Sequence, residues 1–170
     1  MKKITKLFAI ATVVLGFTTT SFAQVTATAT ATGTIITPIA IANAGDMNFG
    51  NVAVSANPGT VVLVPAGTRT ATLGVTLPAV PGTVTAAHFD VTGTPAYAYS
   101  ITLPVTSTTV TSGSNTMSVN AFTSSPSVNG VLDGSGKQTI NVGATLNVAG
   151  NQAAGIYVSG TPFAVTVNYN

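Results

Sequence analysis

The side chains in this sequence that could do chemistry are few. His88 is the only histidine, there is no cysteine, and the acidic residues are Asp46, Asp90 and Asp133. A zinc site draws about three or four protein ligands from His, Cys and carboxylates. His88 beside Phe89 and Asp90 therefore reads as a surface or strand-end histidine. Calcium takes about six to eight oxygens, and Asp133 with nearby carbonyls would supply too few. Each aspartate stands among turn residues, where Asp commonly bonds its own backbone. Three isolated aspartates do not announce the paired carboxylates of a glycosidase. Any Ser-His-acid triad would have to use His88, and no serine stands in a G-x-S-x-G elbow. No glycine-rich phosphate loop leads into a helical pattern. Tyr97, Tyr99, Tyr157 and Tyr169 could stack against sugars, but they alternate with apolar neighbours and so read as sheet packing. The sequence is that of a non-enzymatic protein with no catalytic residue, cofactor or metal site.

What remains to be positioned is backbone. The stretch Val25 to Ile36, VTATATATGTII, alternates strictly and carries no charge. In an extended strand, Val25, Ala27, Ala29, Ala31, Gly33 and Ile35 form one smooth apolar face and five threonines the other. Such a strand needs its N–H and C=O groups met by a sheet edge. That edge belongs either to the chain's own fold, making this an ordinary first strand, or to a neighbouring molecule. A repeat face of stacked threonines needs several copies, and this row occurs once.

Ahead of it lies a targeting pattern. Lys2, Lys3 and Lys6 precede the apolar run Leu7 to Phe17, and Ser21-Phe22-Ala23 is a small-residue cleavage site. This is the three-part form of a secretory signal peptide, and the run is short of the roughly 20 residues a membrane-spanning helix needs. Cleavage after Ala23 is expected, with export to the cell surface or beyond. An intact-mass measurement should find Gln24 as the first residue, and a retained Met1 would refute it. The formal net charge of +2 counts the three lysines. Without them, Arg69 and Lys137 face three aspartates and the chain carries −1, so no basic patch exists for nucleic acid. No second apolar stretch reaches transmembrane length.

The rest of the chain shows short alternating runs broken by Gly, Pro and Asn, with no helical period. Met47 to Val52, Thr60 to Val64, Thr68 to Leu77, Val84 to Val91, Tyr97 to Leu103, Val105 to Val110, Thr116 to Phe122 and Gln138 to Val148 read as strands. Turns are expected at Asn43 to Asp46, Asn57 to Gly59, Pro65 to Gly67, Val80 to Gly82 and Thr111 to Asn115, with a hairpin tip at Asp133 to Gly136. Gly143 suggests a bulge or a close backbone approach. Phe163, Val165, Val167 and Tyr169 share one face of a final strand. Turns recurring at this spacing predict an all-β, Ig-like antiparallel β-sandwich with an N-terminal extended strand. The expected division is a signal peptide at 1–23, a β extension at 24–36 and a sandwich at 37–170.

Three segments carry a resemblance: the Thr/Ala-rich start of the mature chain, Met47-Asn48-Phe49-Gly50-Asn51-Val52, and Ala153 to Asn170 with its penultimate Tyr169. They resemble secreted bacterial domains of the domain-of-unknown-function 4402 family, and more distantly spore-coat-protein-U and chaperone–usher pilin-type domains. The resemblance implies a structural subunit of a surface fibre or biofilm matrix, with the N-terminal extension of one subunit filling a groove in the next. The partners so implied are other copies or pilin-like subunits, with a periplasmic chaperone and usher. The interface would comprise Val25, Ala27, Ala29, Ala31, Gly33 and Ile35 on the donor, and Phe163, Val165, Val167 and Tyr169 lining the acceptor. A different reading is a monomeric secreted sandwich that binds glycan or protein.

Overall fold

The computed structural model describes residues 23–170. The expected signal peptide lies almost wholly outside the described residues. Residues 35–170 form one compact unit, and residues 23–34 belong to a separate one. The body has eleven strands among the described residues: β1 (Ala40–Gly45), β2 (Ala53–Leu63), β3 (Arg69–Thr76), β4 (Ala87–Thr92), β5 (Ala98–Thr102), β6 (Thr108–Ser112), β7 (Asn115–Ser125), β8 (Asn129–Val131), β9 (Lys137–Val148), β10 (Val158–Ser159) and β11 (Thr166–Tyr169). Every pairing is antiparallel. The body is an all-β sandwich of an eight-stranded sheet and a three-stranded sheet ordered β11-β5-β8.

β9 is the spine of the larger sheet. Along one edge it pairs with β7. Along the other it pairs first with β4 through Lys137–Val142 and then with β2 through Ala144–Val148. Its alternation explains this reach, because Ile140, Val142, Ala144, Leu146 and Val148 are all buried. The first two join a core cluster with Val91, Tyr99, Ile101, Leu132 and Val167. The last three join a second cluster with Val61, Val75 and Val119. Truncating Ile140 to Ala should cost about 2–5 kcal/mol, read as a fall in the denaturant midpoint at unchanged slope. Gly143 is a close approach, since a Cβ there would overlap the Leu63 carbonyl and the Val64–Pro65 backbone. The neighbouring bulge is on β7, between Asn120 and Thr123.

Several expected turns are not chain reversals. Asn43–Asp46 is a bulge at the end of β1, where the Asn43 side-chain oxygen accepts from Gly45 N–H at 2.9 Å. Asn57-Pro58-Gly59 lies within β2, where the register against β3 shifts between Val54 and Gly59. Bulges and turns use the same residues because both need local departures from the extended backbone. Pro65-Ala66-Gly67 does close the β2–β3 hairpin, with Gly67 at φ 81°. The β6–β7 turn tightens to Gly113-Ser114. Asp133–Gly136 joins strands of different sheets, so it is a corner and not a hairpin tip.

Candidate functional site

The donor face expected from the alternation forms no strand in the single chain. Residues 23–39 carry no strand assignment, and Val25, Ala27, Ala29, Ala31, Gly33 and Ile35 are all exposed. Val25 and Ile35 keep 92% and 99% of their surface. Alanine buries little apolar area, too little to offset the entropy of ordering an extended segment by itself.

The expected acceptor residues are placed together, but their side chains are spent inward. Val167 is buried in the first core cluster, and Phe163, Val165 and Tyr169 pack against it. Phe163 meets Phe122 at 4.9 Å and Phe89 at 6.2 Å between ring centroids. What β11 offers outward is its main chain. β11 pairs with β5 on one side only and is an edge of its sheet. Asn170 N–H donates to the Ala98 carbonyl, so the even-numbered residues of β11 face β5. The alternation of an antiparallel ladder then turns the N–H and C=O of Val167 and Tyr169 away from the sheet. Among the described residues, these groups have no backbone partner.

Tyr169 also ties down Thr37, near the start of the body. Its hydroxyl donates to the Thr37 carbonyl at 2.9 Å and accepts from Thr94 N–H at 2.7 Å. Thr94 Oγ1 reaches the same Thr37 carbonyl at 3.2 Å. Tyr97 stacks edge-on to the Tyr169 ring at 5.6 Å. Gly93 makes room, since a Cβ there would overlap the Tyr169 hydroxyl. Gly93→Val should therefore break this clasp and cost about 1–3 kcal/mol, the range for overpacking a filled site, measured by thermal unfolding. Tyr99 is fully buried and donates to Gln138 Oε1 at 2.7 Å, with burial raising its phenol above the ordinary value.

The role of Arg69 is not visible in the sequence. Its guanidinium donates to the carbonyls of Phe49, Asn51 and Pro81, and so holds the Met47–Val52 segment against the 80–82 turn. Asn51 N–H adds a bond to Pro81 at 2.6 Å. Met47 to Val52 is consequently a clamped loop with a single bridge, Asn48 to Thr85, and not a strand. Met47, Phe49 and Val52 still pack inward on the second core cluster.

Among the described residues, His88 and the three aspartates are in structural use. The His88 ring covers Gly45 across the β1–β4 ladder. Asp90 accepts from Thr139 Oγ1, and Asp46 from Asn43 Nδ2, each at 2.8 Å. Asp133 accepts from Ser135 N–H, Ser135 Oγ and Lys137 N–H. No cluster of three or more His, Cys, Asp or Glu occurs among the described residues. The Lys137 and Ser135 hydrogen bonds hold the Asp133 carboxyl below its ordinary value. A depressed folded-state pKa contributes stability that is present above the unfolded pKa of about 4 and lost as pH falls through the folded value. Below about pH 4 the wild type should lose stability relative to Asp133→Asn, whose side-chain oxygen still accepts; parallel melting curves of the two would refute this.

No curated protein and no solved structure matches the chain. A family model described as Domain of unknown function (DUF4402) matches residues 39–169, which takes in the clamped loop, both core clusters and β11. By that match, the chain belongs to the DUF4402 family.

Proposed function

We propose that this protein is an exported, non-enzymatic structural subunit that assembles by strand addition into a surface fibre or matrix. The observation that supports the reading is a pairing of opposites in one chain. The β11 edge carries outward N–H and C=O groups at Val167 and Tyr169, and Val25–Ile35 carries an alternating, exposed main chain with no ladder. Strand addition satisfies both sets of groups through main-chain hydrogen bonds. The targeting pattern at 1–23 supplies a route out of the cell.

The body does not need a donor to complete its core. Tyr99, Ile101 and Val167 are 7% exposed or less without one. Addition here extends an edge and leaves a folded subunit at each step. Such contacts between neighbours involve no disulfide, because the chain has no cysteine. The test is electrophoresis in SDS of the native surface fraction, with and without boiling, probed with an antibody to this chain. The expected result is a ladder that collapses to one band on heating. A monomer band in both lanes overturns the proposal and favours a monomeric secreted binding module.

A further inference from the structure

The outer face of the larger sheet carries an array of uncharged polar side chains. The registers place Thr109, Ser118, Asn147, Thr60 and Thr72 side by side on β6, β7, β9, β2 and β3. Two residues along, Asn120, Thr145, Val62 and Thr70 form a second row. With strands about 4.8 Å apart, the first row spans about 19 Å. The amides are oriented: Asn147 Nδ2 donates to the Ser118 carbonyl at 3.2 Å and to Asn120 Oδ1 at 3.1 Å. Thr60 and Thr72 share a hydroxyl hydrogen bond of 2.7 Å.

This face is dished into an open groove of about 540 Å³ whose lining includes Pro58, Thr60, Leu73, Thr109, Ser118 and Asn147. No ionisable side chain lines it. Leu73 stands at a bulge, where a left-handed backbone is called for, but its side chain is bulkier than that bend requires. It has φ 53° and is 89% exposed, opposite Gly59 where the β2–β3 register shifts. The left-handed region is strained for a bulky residue and suits glycine. A side chain held there at a cost, and contributing nothing to the core, is a reason to look for a ligand.

The chemistry of the groove narrows its occupant. Nucleic acid requires cations against phosphate, and a membrane surface requires a broad apolar or basic face. A peptide strand adds at sheet edges, whereas Thr60, Ser118 and Asn147 stand on β2, β7 and β9, which are flanked on both sides, and only the β3 of Leu73 is an edge. Hydroxyls and amides that both donate and accept, beside an apolar rim, fit a ligand that is itself hydroxylated and uncharged. We propose that the groove binds a neutral polysaccharide, with Thr60, Ser118 and Asn147 bonding its hydroxyls and Leu73 and Pro58 packing against its C–H faces.

This site is independent of strand addition, because β11 belongs to the other sheet. The test is retention of the full chain on cellulose, chitin and cross-linked dextran, with alginate as an anionic control, at low and high salt. Saturable retention on at least one neutral polymer is expected, unchanged by salt because no charge is screened. Leu73→Gly should weaken that retention about tenfold, a change of about 1.4 kcal/mol, while the melting temperature stays level or rises as strain is relieved. Thr109→Lys, at an exposed flank, should weaken it without unfolding the sheet. Three outcomes overturn the assignment: no retention on any neutral polymer, retention confined to alginate or lost in high salt, or Leu73→Gly binding like the wild type.

Discussion

A mature chain lacking residues 24–36 should stay folded and monomeric where the full mature chain assembles. Only Ile36 in that segment is even half-buried, so its removal should change stability by little more than the ~0.5 kcal/mol typical of surface changes. For a body of this size that is about 2 °C in the melting temperature. Assembly should respond very differently. On the proposed mechanism the segment supplies the donor main chain, and without it the groups on Val167 and Tyr169 would be left to water. The heat-sensitive ladder should vanish. A synthetic peptide of residues 24–36, added in excess to the truncated chain, should bind and cap the β11 edge without restoring polymers. Unchanged fibres from the truncated chain would overturn the mechanism. A truncated chain that unfolds would show that the segment completes the core, contrary to the burial of Tyr99 and Val167.

Arg69→Ala is the second large effect. One guanidinium serves three carbonyls, on Phe49, Asn51 and Pro81. Hydrogen bonds to charged groups contribute about 1.5–3 kcal/mol each, but these carbonyls are partly exposed and water replaces some of the loss. A net cost of about 3 kcal/mol is expected, or on the order of 10 °C in the melting temperature. Release of the loop would also loosen Met47, Phe49 and Val52 from the second core cluster. Arg69→Lys should recover less than half, since an ammonium lacks the planar fork that reaches several acceptors. Urea unfolding of the three proteins measures this. A cost for Arg69→Ala below about 0.5 kcal/mol, the range of ordinary surface changes, would show that the loop is held by its own packing.

Alternation made the sandwich legible wherever one side of a strand is buried. Gln138–Val148 and Tyr97–Leu103 show this, because a two-residue period fixes which side chains face the core. Asn43–Asp46 and Asn57–Gly59 were legible as departures from the extended backbone but not as bulges, since Asn, Pro and Gly serve both. Met47–Val52 alternates like a strand, yet its carbonyls go to Arg69, a partner 18 and 20 residues away from Asn51 and Phe49 in the chain. Asp133 bonds its own corner, as its Gly and Ser neighbours suggested, but only the sheet topology places that corner between sheets. Local spacing was enough to read the strand period and the shared face of Phe163 to Tyr169, but not the places of Asp90 and His88, whose contacts with Thr139 and Gly45 lie across strand ladders. Which edge stays open, where Tyr169 clasps Thr37 and which outer face lies bare were decided by the tertiary structure, because each depends on which strand pairs with which.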